Sequence, residues 1–138
     1  MRKLFAVAIV LGLGLVPVFT GAVMAQKVHA PKGVWKAMIA SLTDIQIITA
    51  SLTVFDMERA SVAADALVAR ETFISNMERL PEDVRKGHAK VAEAATELAA
   101  ATKAGDEQEI SVQIGKVLAA CSACHYDLRD AERRKELQ

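Results

Sequence analysis

After residue 30 the apolar residues recur at intervals of three and four, and no stretch alternates with period two. Such stripes belong to amphipathic helices that bury one face. Four helices are predicted. The first, about Val34 to Val54, carries Val34, Met38, Leu42, Ile45, Ile48 and Leu52 inward; the second, about Asp56 to Arg79, carries Ala63, Leu67, Ile74 and Met77. The third, about Pro81 to Ala104, carries Val84, His88, Val91, Ala95 and Leu98. The fourth, about Asp106 to Lys135, carries Ile110, Ile114, Val117, Cys121 and Leu128. The breaks have their own chemistry. "LPED" puts Pro81 at a first helical position with Glu82 and Asp83 in the first turn. In "AGDEQE", Gly105 suits a left-handed helix end, Asp106 caps the next helix and Glu109 completes a capping box. The break at "TVFD" rests on Asp56 alone. Similar lengths and short links predict an all-α fold, an antiparallel up-down-up-down four-helix bundle. An offset of 50 residues aligns Val34 with Val84, Lys36 with Lys86 and Asp56 with Asp106. Shared bundle patterning accounts for this alignment more simply than a duplicated helical hairpin.

The first residues break the pattern. Arg2 and Lys3 form a basic head, an apolar run extends from Leu4 to about Val18, and Val23 and Ala25 end the stretch on small residues. This is the layout of a secretory signal peptide over residues 1–25, leaving a mature domain of residues 26–138. A retained anchor is the alternative, but Gly12, Gly14 and Pro17 interrupt the run. The basic head and overall style predict export to a bacterial periplasm, with no stable membrane insertion after cleavage. The full chain balances 17 basic against 17 acidic residues, so losing Arg2 and Lys3 leaves a mature charge of −2. That balance excludes nucleic acid as a partner, because phosphate binding needs a clustered basic surface.

The two cysteines of the chain stand in "VLAACSACHYDLRD", at Cys121 and Cys124, with His125 directly after. C-x-x-C-H in an exported chain is the attachment signature of c-type haem. The spacing puts both thiols on one helix face, where they form thioethers to the vinyl groups while His125 serves as the proximal iron ligand. A disulfide here would close only a tiny loop. A zinc site lacks a fourth ligand, and a thioredoxin-like pair lacks its strand. A redox dithiol is the alternative left. No catalytic triad, phosphate loop or paired carboxylates appear, so an enzyme is not expected.

"LAAATKAGDEQEISVQIGKVLAACSACHYDLR" resembles the carboxy-terminal half of class II c-type cytochromes, the group of cytochrome c-prime and its low-spin, methionine-ligated relatives. Gly105-Asp106, Cys121, Cys124, His125 and Arg129 match the family pattern, while Leu128 stands where an aromatic residue is usual. The resemblance implies one covalently attached haem c on the C-terminal helix, with Arg129 screening a propionate or shielding His125. It also implies periplasmic redox partners and a homodimer through the first two helices.

In the family that the chain resembles, the sixth iron position decides between two functions. A methionine from the first helix gives a low-spin electron carrier, whereas a non-ligating residue leaves a five-coordinate haem that binds NO or CO. Reflected through the turn at residues 105 and 106, His125 falls level with about residue 86, and so with residues 36 to 38 of the parallel first helix. Met38 and His88 both lie at that height on inward stripes; Met77 is close and Met57 is at the far end. By the resemblance Met38 is the ligand, with His125 opposite, which makes the chain a periplasmic electron carrier. Ligation by His88 and plain core packing of Met38 are the other readings.

Overall fold

The computed structural model describes residues 32–136, and the predicted signal peptide lies outside them. The described residues form four helices: α1 (Lys32–Thr53), α2 (Met57–Ser75), α3 (Glu82–Ala104) and α4 (Glu107–Glu136). Each packs against the next in an all-α antiparallel bundle, as the periodicity predicted.

The turns closing α1 and α3 are the same device. After α1, Phe55 N–H donates to Leu52 O and Asp56 N–H to Ser51 O; after α3, Gly105 N–H donates to Thr102 O and Asp106 N–H to Ala101 O. Both are Schellman motifs, with Phe55 (φ 60°) and Gly105 (φ 68°) in the left-handed position. The aspartate that follows caps the next helix: Asp56 Oδ1 accepts from Arg59 N–H (3.0 Å) and Asp106 Oδ1 from Glu109 N–H (2.9 Å). The alignment at an offset of 50 residues thus has a structural counterpart at both turns. The capping box predicted at Asp106 is only half formed, because Glu109 Oε1 accepts from Gln113 instead. Phe55 pays for a conformation that glycine adopts freely, and its ring is exposed. Phe55→Gly is therefore expected to stabilise the fold by up to about 1 kcal/mol, read as a higher denaturant midpoint at unchanged slope.

Two boundaries differ from the sequence reading. α2 stops at Ser75, where Asn76 folds back through its side chain onto Thr72 O, so Met77 lies in the link rather than on the helix. Pro81 is the N-cap of α3, extended at ψ 145°, and Arg85 N–H closes the first turn onto its carbonyl. The residue before a proline resists helical backbone, which keeps the link at Leu80 out of both helices.

The core joins Ile45 and Ile48 of α1 to Leu67 of α2, Val91 and Leu98 of α3, and Ile110 and Val117 of α4. Ala60, Ala63 and Ala64 face Ala95 and Ala99 in the same cluster, and α2 and α3 make the most extensive helix contact. The small residues bring these two helices close. A second apolar cluster, Val34, Ile74 and Leu80, packs with Met38, Met77 and Val84. By contrast, α1 and α4 barely touch. Leu42, predicted inward, is exposed, as are Trp35 and Ile39. These three lie across α1 from Ser41 and Asp44, whose side chains meet α2. At 100° per residue that places them on the flank away from α2.

Candidate haem site

Ala119 to His125 is helical throughout, within α4. Three residues turn a helix by 300°, so the thiols of Cys121 and Cys124 project within about 60° of one another. Both are free and half-buried, whereas His125 is exposed. The two flanks of this turn differ. One carries Ala120, Ala123, Cys124 and Asp127 into a groove of about 330 Å³ shared with Lys86, Gly87 and Lys90 of α3. His125 lies on the other flank with Leu118 and Ile114, away from α3 and toward the side where α1 and α4 barely touch.

Gly87 makes the turn possible. A Cβ there would stand 2.3 Å from Cys124 Sγ and 3.1 Å from its Cβ, so α3 and α4 meet at a point where only hydrogen fits. A free thiol can swing aside, but a sulfur fixed in a thioether cannot. Gly87→Ala is thus expected to lower covalent haem per chain severalfold, measured by the ratio of haem to protein absorbance. Gly115→Ala, with nothing near its added Cβ, should retain full loading and gain about 0.5–1 kcal/mol of stability. Two adjacent thiols, an imidazole one residue on and a Cβ-free cradle beneath suit a covalently held haem.

Three contacts fix the levels of the helices: Gly87 against Cys124, His88 Nδ1 against Glu71 Oε2 (2.6 Å), and Ser41 Oγ against Glu71 Oε1 (2.5 Å). Stepping through them sets His125 level with Ile39, one residue from Met38. Met38 is half-buried among the second apolar cluster. His88, the other candidate, is buried and held by Glu71. Arg129 stands 5.6 Å over the Tyr126 ring, an exposed cation–π pair on the outer side of α4. Sequence reasoning missed Glu71, because an acidic residue within a helical pattern reads as surface. Its signal was position: it falls on the stripe of Ala60, Ala63, Ala64, Leu67 and Ile74.

Burial, then the charge of Glu71, then Cys124 push the Cys121 thiol up to about 11, and Cys124 is raised by burial, Asp127 and Glu71. Neither thiol is an activated nucleophile. This weighs against a redox dithiol, whose attacking sulfur needs a lowered pKa.

A family model described as Cytochrome C' matches residues 79–129, from the α2–α3 link through the C-x-x-C-H turn to Arg129. Over that stretch the chain is similar to the class II c-type cytochromes. Among curated proteins and solved structures, nothing matches. The family is one of c-type haem proteins, and the matched stretch contains Cys121, Cys124 and His125. When bound, haem supplies one-electron iron chemistry and an axial position for a small ligand. No helix among the described residues is long and apolar enough to cross a membrane.

Proposed function

We propose that this cytochrome is a periplasmic electron carrier, not an enzyme, with one haem c whose iron is held by His125 and Met38. The observation that carries the reading is the level match of His125 on α4 with Met38 on α1, across the side where these helices barely touch. We place the macrocycle on that side, where Trp35, Ile39 and Leu42 of α1 and Leu118 of α4 offer apolar surface. A thioether ligand is soft and neutral, favours ferrous iron, and suits a carrier that must both accept and release one electron. Its partners on this reading are redox proteins of the same compartment. Val62 and Phe73, both exposed on α2, suit a second copy of the chain. The competing reading, a five-coordinate haem that binds NO or CO, draws on the packing of Met38 within an apolar cluster. Two measurements test the proposal. Acidified-solvent extraction of denatured protein should leave haem on the polypeptide. The ferric spectrum should then show the weak red band of a sulfur–iron bond; a high-spin spectrum without it would give the function to the competing reading.

A further inference from the structure

Glu71 is the most deeply buried acidic residue of the described chain, at 2% exposure. Ser41 Oγ donates to its Oε1 at 2.5 Å and His88 Nδ1 lies 2.6 Å from its Oε2, so one carboxylate ties α1, α2 and α3 together. Arg70 pairs with Asp44 and reaches Ser41 Oγ at 3.5 Å, making no direct ion pair with Glu71. The pair stands beside the haem-bearing turn: His88 follows Gly87, whose backbone touches Cys124. The charge of Glu71 also reaches both thiols, helping to hold each in its protonated form.

We infer that Glu71 tunes the reduction potential, a fixed buried anion next to the haem that favours the ferric over the ferrous state. The inference rests on the haem attachment proposed above but not on the identity of the sixth ligand. Reduction adds an electron to the iron, and a nearby negative charge opposes it most strongly where little water screens the field. A carboxylate buried for packing alone would be a poor choice, since apolar residues of similar volume serve as well or better.

The test compares haem-loaded Glu71→Gln and Glu71→Asp with wild type by spectroelectrochemical titration. Glu71→Gln keeps the size and hydrogen-bonding capacity but loses the charge. It should raise the ferrous-to-ferric ratio at fixed solution potential about tenfold, which is about 59 mV for a one-electron couple. Glu71→Asp keeps the charge and should stay near wild type. A second readout needs no haem: in the haem-free chain at one fixed alkaline pH, thiol alkylation should be faster in Glu71→Gln. If Glu71→Gln does not fold, the double variant Glu71→Leu/His88→Leu removes the whole pair and should show the same rise in potential. An unmoved potential in a folded, loaded neutral variant overturns the inference, as do equal shifts in Glu71→Gln and Glu71→Asp or unchanged alkylation. Failure of wild type to bind haem at all would instead strike the proposed function.

Discussion

The haem-free protein should melt roughly ten degrees or more below the loaded protein, and α1 should loosen first. The reason lies in which helices have neighbours. α2 and α3 are sealed together by facing alanines, and α4 is packed along α3. α1 is held essentially by α2 alone, and its Trp35, Ile39 and Leu42 stay exposed. On the placement proposed above, a macrocycle between α1 and α4 would supply contacts that neither helix gives the other. Burying even one or two large side chains against it is worth about 2 kcal/mol or more, and a domain of this size shifts by about 4–8 °C per kcal/mol. Hydrogen exchange gives the spatial half of the result: amides of α1 should exchange faster in the haem-free chain than those of α2 and α3. Equal melting temperatures with and without haem, or uniform protection across all four helices, would refute this.

Cys121 adds a pH dependence confined to the haem-free state. Its thiol is pushed up to about 11 in the fold, chiefly by burial. In the unfolded chain it ionises near its ordinary value, about 8.5. Between these two values the unfolded state has lost a proton that the folded state keeps. Stability is therefore full below about pH 8.5 and declines as pH rises toward 11. A thioether has no such proton, so the loaded protein should lack this component, as should Cys121→Ser without haem. Denaturant midpoints across that range give the comparison.

Helices and turns were legible because they are local. Gly105, Asp56 and Asp106 announce their roles through chemistry with residues three to five positions away, and α3 and α4 follow their predicted stripes closely. The misreadings share a cause: they depend on what lies across the bundle. Leu42 fits a helical stripe, yet α1 turns it toward the flank that α4 does not cover. Glu71 is the opposite case, a charged residue inside because Ser41 and His88 answer it from two other helices. The C-x-x-C-H turn was readable from five residues, since its spacing is contained in one stretch of helix. Its environment was not, because Gly87 matters only where α3 meets Cys124.

Met38→Ala should convert a low-spin haem to high-spin, lower its reduction potential, and open the iron to CO and NO. The motive is the level of Met38, one residue from the plane of His125 through three interhelical contacts. The sign of the potential shift follows from the ligand: a neutral thioether favours ferrous iron, so its loss favours ferric. Truncation also removes packing from the cluster of Val34, Ile74 and Leu80, at a cost of about 2–3 kcal/mol for a half-buried methionine. Met77→Ala removes packing from the same cluster without the predicted ligand, and so separates the two effects. It should destabilise the protein while leaving the spectrum nearly unchanged. Met57→Ala, near the opposite end of α2, should do the same. His88→Ala frees Glu71 from a partner and should disturb stability and potential, but not spin state. If wild type is already high-spin and Met38→Ala leaves it so, the electron-carrier reading gives way to gas binding. A low-spin spectrum abolished by His88→Ala alone would assign the sixth position to that imidazole, with Glu71 as the carboxylate that orients it.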